Sequence, residues 1–283
     1  MHFAASIFFT DYSITPTALA RALEERGFET LWAAEHSHIP LSRKTPPPGG
    51  GELGKQYYDV MDPFVTLTAA AMVTKTLNIG TGVCLVNQRD PIQTAKLVAS
   101  IDQVSGGRFL FGVGNGWNQD EMENHGTVFT TRHKLVRERI EAMKAIWTQN
   151  KAEYHGEFVN FDPMMTWPKP VRKPHPPVIV GGAYPYAARR AVRYGDGFMP
   201  LAGRPGTTGD VFDVVPKFRA MLKEAGRSEE SCPVSLSSAS DDLDTLKRYR
   251  DLGIVRVSVG LAAATAEAAL PILDKWAGLK AKL

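Results

Sequence analysis

The sequence is poor in cysteine: Cys84 and Cys232 are the two present in 283 residues, and they lie far apart. That excludes a disulfide framework and a cysteine-built zinc site, and it fits a reduced compartment. Long hydrophobic runs are also missing. No stretch approaches the roughly 18 apolar residues that a membrane-spanning helix needs. The opening run Met1–Phe9 has no basic leader and is too short for a secretion signal. Charge of one sign is not in excess: the net value is +3, and the Lys and Arg residues are scattered rather than blocked. A chain of that kind has no reason to seek nucleic acid or an anionic membrane. Apolar residues make up 43% and charged residues 22%, enough apolar material for a large core. The expectation is a cytoplasmic protein with a small-molecule substrate.

What is present is an alternation of apolar strands and amphipathic helices. Strands are expected near 3–9, 30–34, 77–81, 108–113, 177–180, 197–199, 233–237 and 255–260. Helices follow near 16–26, 62–74, 91–104, 131–149, 184–194, 211–225, 243–252 and 265–276. Thr15-Pro16 and Asp62-Pro63 supply a capping oxygen followed by a proline, the chemistry of a helix start. Gly27 and Ser105-Gly-Gly107 supply stops. Eight strand–helix pairs imply parallel pairing with right-handed crossovers. The reading is a (β/α)8 barrel, one domain over residues 1–283, with a doubly wound open sheet as the alternative. Two irregularities stand out: a long loop after strand 2, from 35 to 62, and an insertion between helix 4 and strand 5 that alternates like a hairpin over 153–161. No repeat of fixed period and no linker divides the chain.

The chemistry gathers at the carboxyl ends of strands, where barrel enzymes keep their sites. Strand 2 ends in Ala34-Glu-His-Ser-His38. There His36 could move a proton near neutral pH with Glu35 orienting it, or both could simply satisfy loop backbone. The His-x-His spacing also raises a metal-dependent barrel hydrolase. Such a site needs ligands from other strand ends, and strands 5, 6 and 8 offer none, so no metal is expected. Strand 3 ends in Gly80-Thr-Gly-Val-Cys84, which reads equally as a bulge or a plain turn. Strand 4 runs into Gly112-Val-Gly-Asn-Gly-Trp-Asn118. This resembles a dinucleotide fingerprint but carries Trp117 where its last glycine should be. Asn115, Gly116 and Asn118 can meet a flat ligand, and Trp117 either walls a substrate pocket or plugs the mouth. Glu121, just beyond, reads as a substrate contact or, more simply, a solvated salt bridge. Strand 5 ends in Gly181-Gly-Ala183 before a helix, which suits a phosphate group, with Arg189 and Arg190 adding positive potential. Gly49–Lys55 imitates the start of a nucleotide loop, but Gln56 stands where a Ser or Thr should hold magnesium, and prolines precede it instead of a strand.

Taken together, Leu31–His36, Leu77–Val83, Phe111–Asn118, Pro177–Ala183 and Ala191–Phe198 resemble, in order, the luciferase-like flavin and deazaflavin oxidoreductases. The resemblance is nearest to the branch that uses coenzyme F420. It implies a barrel, usually dimeric, with the cofactor ring over the strand ends. It places His36 against the deazaflavin, Gly82 and Val83 at a strand 3 bulge with a non-prolyl cis peptide behind the ring, Asn115 and Gly116 beside it, and Gly181, Gly182 and Ala183 at the phosphate. Trp117 and Asn118 fall to the substrate side. One departure matters. In the sugar-phosphate dehydrogenase branch a catalytic glutamate follows the second strand 4 glycine of its motif, and here that place is Trp117. This disfavours sugar-phosphate oxidation and leaves His36, with Glu35, as the expected proton donor. The resemblance therefore implies hydride transfer between F420 and a small organic substrate. An FMN-dependent monooxygenase of the same fold is the alternative, and a non-catalytic flavin-binding relative is a further one.

Overall fold

The computed structural model describes residues 1–47, 50–201 and 209–283. Gly49, the first residue of the rejected nucleotide-loop mimic, lies outside the described residues. In chain order the elements are β1 (His2–Ile7), α1 (Pro16–Glu25), β2 (Thr30–Ala33), α2 (Pro63–Met72), β3 (Asn78–Thr81), β4 (Cys84–Leu85), α3 (Pro91–Ser105), β5 (Phe109–Gly114), α4 (Gln119–Asn124) and α5 (Arg132–Thr148). There follow β6 (Ala152–His155), β7 (Asn160–Met164), β8 (Val178–Gly182), α6 (Tyr186–Tyr194), β9 (Gly197–Pro200), α7 (Val211–Glu224), β10 (Ser235–Leu236), α8 (Leu243–Asp251), β11 (Arg256–Gly260) and α9 (Ala266–Lys280).

Helix starts follow local chemistry. Thr15, Asp62 and Asp90 each precede a proline, and their side-chain oxygens accept from Ala18, from Phe64 and Val65, and from Gln93. Each cap satisfies backbone N–H groups that have no partner within the helix. Gly106, in the left-handed region at φ 67°, ends α3.

All barrel pairings are parallel, in the order β10-β11-β1-β2-β3-β5-β8-β9. A single parallel bridge between Phe198 and Val234 joins β9 to the chain just before β10, so the barrel is nearly closed. The barrel is the expected fold, and the open sheet is excluded. Strand 7 is shorter than the sequence suggested, with Ser235–Leu236 alone regular. The expected insertion hairpin is β6–β7, antiparallel and paired only with itself. Helix α4 was not anticipated.

The third barrel strand is broken. β3 pairs with β5 as Ile79 with Phe109 and Gly80 with Leu110, while β4 resumes as Cys84 with Val113 and Leu85 with Gly114. The offset changes by one residue, which is a β-bulge. The peptide Gly82–Val83 within it is cis. The Thr81 hydroxyl closes the bulge by donating to the Gly112 carbonyl at 2.7 Å.

Most of the core lies between barrel and helices; Phe109, Phe111, Phe198 and Phe218 are among its fully buried side chains. A smaller cluster, Ala4, Trp32, Leu110, Ile179 and Met199, comes from barrel strands alone. Trp32 and the Thr81 carbonyl each require a glycine beside them. A Cβ on Gly80 would stand 2.4 Å from the indole, and one on Gly112 would stand 1.9 Å from the Thr81 carbonyl oxygen. A β-carbon at either place would collide with its neighbour, so these two glycines serve close packing.

Candidate active site

A cavity of about 420 Å³ opens at the carboxyl ends of the strands, a size usual for cofactor and small-molecule sites. It is lined by the ends of β1, β2, the bulge, β5, β8 and β9 and by the residues around β10 and β11. Of the residues singled out in the sequence, Glu35, His36, Gly82, Val83, Asn115, Gly116, Trp117, Gly181, Gly182 and Ala183 line it. Asn118 does not: it is 1% exposed, precedes α4 and is absent from the cavity wall.

His36 stands between two aromatic walls, its ring 5.3 Å from Tyr57 and 6.0 Å from Trp117. Trp117 is thus a wall of the cavity and not a plug. Tyr184 packs on the core and Tyr58 is exposed, so neither joins that aromatic face.

The carboxylate on His36 is Glu121 rather than Glu35. Nδ1 of His36 lies 2.8 Å from Glu121 Oε2, and the other Glu121 oxygen accepts the Ser37 backbone N–H at 3.1 Å. Glu121 is fully buried, which overturns the reading of it as a solvated salt bridge. Its position three residues after Asn118 has the spacing of a capping box. The side chains do not make that box: Asn118 accepts no cap bond, and Glu121 turns across to the β2 loop. With a carboxylate at Nδ1, the imidazole is held with Nε2 left for the cavity.

Glu35 has a different task. Its carboxylate accepts the Leu85 backbone N–H at 2.6 Å and Nε of Arg89 at 2.6 Å, and Arg89 also binds Asp62 at 2.6 Å. Glu35 therefore ties the strand after the bulge to the start of α2. The expected Glu35-to-His36 support is absent because the peptide following Ala34 sends successive side chains to opposite sides, one toward the bulge and the other toward α4.

The loop after β2 is bound to α4. Asp120 accepts from the Ser42 hydroxyl and the Lys44 backbone N–H, both at 2.7 Å. The Thr45 hydroxyl donates to the Trp117 carbonyl at 2.8 Å, and Arg43 lies over the Trp117 ring at 5.6 Å.

The opposite end of the cavity is cationic. Arg190 and His133 both line it. Arg190 reaches back toward Gly182, where its guanidinium is 3.5 Å from the position a Cβ would take. Burial, then Arg132 and Arg190, push the His133 imidazole down to about 4. Burial lowers Arg190 as well, and Arg132 is lowered by burial and then by Arg190. Positive groups held together this way favour an anion. Arg190 and the Gly181–Ala183 turn are legible in the sequence, whereas Arg132 and His133 belong to α5, fifty residues upstream, and carry no local motif.

The wall's donors fit a polar heterocycle with a phosphate. Trp32 Nε1, Asn115 Nδ2, Ser258 Oγ and Arg190 Nε are buried, belong to cavity-lining residues and have no hydrogen-bond partner among the described residues. Buried donors without partners are costly, so a ligand oxygen that meets them is favoured. The packing beneath the cavity is equally specific. A Cβ on Gly114 or Gly181 would stand 2.5 or 2.9 Å from the Val83 methyls, so the glycines let Val83 of the bulge occupy the space between β5 and β8. Ser6, Ser237, Ser238 and Ser258 form a hydroxyl-bearing side of the cavity that the sequence analysis did not single out.

Among the described residues, no three His, Cys, Asp or Glu side chains gather as a metal site. No helix among them is long and apolar enough to cross a membrane.

Parallel barrel, bulged third strand and a histidine–carboxylate pair meet at one mouth, the place where barrel enzymes keep their sites. Residues 16–240 match the family model described as luciferase-like monooxygenase. The chain belongs to that family of enzymes. A Mycobacterium tuberculosis protein of uncharacterised function is 37% identical over 285 residues, spanning 98% of each chain. The monooxygenase RslO1 of Streptomyces bottropensis superposes with a TM-score of 0.78 at 19% identity, over 100% of this chain and 99% of that one. The coenzyme F420-dependent tetrahydromethanopterin reductase of Methanopyrus kandleri superposes with a TM-score of 0.73 at 18% identity, over 98% and 97%.

Proposed function

We propose that this chain, folded as a single barrel domain, is an F420-dependent oxidoreductase that moves a hydride between a deazaflavin and a small organic substrate. The observation that carries the reading is the buried Glu121 carboxylate 2.8 Å from His36 Nδ1, with the His36 ring on the cavity wall. Hydride transfer to a carbonyl-like carbon leaves an oxygen that needs a proton, and oxidation in the reverse sense releases one. His36 is placed to give or take it at Nε2, with Glu121 holding the ring and balancing its charge. A bound deazaflavin would supply the hydride chemistry. Gly82, Val83, Asn115, Gly116 and Gly181 would hold its ring, and Gly182, Ala183, Arg190 and His133 its phosphate. Trp117, Tyr57 and Phe8 would wall the substrate and keep water from it.

The decisive measurement is titration of the purified protein with F420 and, separately, with FMN, followed by fluorescence. Saturable F420 binding that weakens in Arg190→Leu, with turnover lost in His36→Asn, is expected. Binding of FMN alone would replace the proposal by the monooxygenase reading. Binding of neither would end both.

We further propose a homodimer. Val65 and Met72 on α2 and Val104 on α3 are 50–70% exposed, and these two helices pack against each other.

A further inference from the structure

Behind His36 a second set of groups continues outward from Glu121. The exposed Ser37 Oγ lies 3.5 Å from Glu121 Oε1, 2.7 Å from His125 Nε2 and 2.9 Å from His38 Nδ1. His38 and His125 face each other with ring centroids 5.4 Å apart, and the Asn124 side-chain amide pairs with His38 Nε2 at 2.9 Å. The result is a hydrogen-bonded path from a fully buried carboxylate to two imidazoles at the surface, on the side of His36 away from the cavity.

We propose that Ser37 and His125 form a proton port through which the His36–Glu121 pair exchanges its shared proton with solvent while the cavity is filled. This rests on the proposed function only for what the proton is used for. A ligand that fills the cavity closes the route through Nε2. A proton taken up at Nε2 then turns a neutral imidazole beside the carboxylate into an imidazolium–carboxylate ion pair in a dry site, whose two charges are costly to keep from water. Passage of the Nδ1 proton to Glu121, from Glu121 to the Ser37 oxygen, and of the Ser37 hydroxyl proton to His125 returns the imidazole to its neutral form. Loss of a proton at Nε2 drives the same steps inward. Ser37 ends each passage with its hydroxyl intact, and the net change is one proton moved between the pair and water.

The groups facing this path are few. Glu121 and Asn124 come from α4, His125 from the residue after it, Glu35 and His38 from the β2 loop, and Gln88 and Arg89 from the segment before α3. Burial, then His38, lowers His125, while Glu121 and Glu35 oppose that and Arg89 adds to it. His125 is thereby a weak base that releases a proton readily at neutral pH.

The test needs no cofactor. In the full chain labelled with 15N-histidine, the exchange of the His36 Nδ1 proton with water is read by NMR. Ser37→Ala is expected to slow it about tenfold or more and His125→Asn to slow it several-fold, with Ser37→Thr near the unsubstituted rate, as expected for a hydroxyl acting as proton carrier. Equal rates in Ser37→Ala, His125→Asn and the unsubstituted protein would overturn the port. A rate equally slow in Ser37→Thr would overturn it too, since a structural change and not the hydroxyl would be responsible. In turnover, imidazole buffer is expected to rescue Ser37→Ala without altering KM. Failure of the protein to bind F420 or FMN would count against the proposed function and leave the exchange result standing.

Discussion

His36 and Glu121 stand 85 positions apart in the chain, yet Nδ1 of one and Oε2 of the other are 2.8 Å apart, with the Glu121 side chain wholly shielded from water. A buried carboxylate is kept only where partners compensate it. Its partners here are the imidazole, the Ser37 N–H and, at 3.5 Å, the Ser37 hydroxyl, so the pair is a unit: each group holds the other in place.

Replacing Glu121 by Gln keeps the shape and the acceptor for Ser37 but removes the charge. The expected outcome is a fall in kcat of about a hundredfold, within the range of general acid–base effects, with cofactor affinity within about twofold. Steady-state kinetics alongside a binding titration check it. An unchanged kcat would take Glu121 out of the chemistry.

The cationic end gives a pH prediction. The folded-state value of His133 is about 4, below its ordinary value of 6.5. The unfolded chain therefore binds the proton more readily, and stability falls as pH drops from about 6.5 toward 4. An anion bound beside Arg190 counters the positive neighbours and raises His133. Histidine NMR with and without inorganic phosphate is expected to show His133 titrating higher in phosphate. In Arg190→Leu, His133 is expected to rise without phosphate, and the phosphate effect to shrink. No phosphate response in the unsubstituted protein would remove the anion assignment.

The glycine at 114 makes room for Val83, not for ligand alone. Gly114→Ala places a methyl 2.5 Å from Val83 Cγ2, an overpacking that is expected to cost about 1–3 kcal/mol and to displace the bulge at the cavity wall. Thermal unfolding and F420 titration read the two effects. Adding Val83→Ala is expected to recover part of the stability. A Gly114→Ala protein as stable as the original would show that the bulge yields freely.

The exposed apolar face of α2 and α3 predicts association. Light scattering is expected to give twice the mass of the 283-residue chain, and Val65→Glu with Met72→Glu is expected to give a monomer without loss of fold by circular dichroism. A monomer in the unsubstituted protein would leave that face without a partner copy.

The periodicity of apolar residues, the Thr-Pro and Asp-Pro starts and the glycine stops were enough to lay out eight strands and their helices. Those signals act within a turn or two of the chain, so the sequence carries them openly. The same holds for the polar strand ends and for His36, Asn115–Trp117 and Gly181–Ala183, which the barrel brings to one cavity. Helix α4 was missed because six residues after a strand end are too few to show a period.

The pairing of side chains is another matter. Glu35 is adjacent to His36 in sequence, and adjacency suggested support; the structure sends Glu35 to Leu85 and Arg89 and brings Glu121 from beyond the next but one barrel strand. Arg190 and His133 meet only because α5 and α6 pack side by side on the barrel. Gly112 and Gly114 are legible as glycines, but that they yield to Thr81 and Val83 depends on a one-residue shift in strand register. The alternation, the caps and the kind of chemistry at each strand end are legible in the chain alone, because these depend on neighbours along it. Which carboxylate serves the histidine, and that Arg190 and His133 share a pocket, follows only from barrel closure, which makes neighbours of residues that the chain keeps far apart.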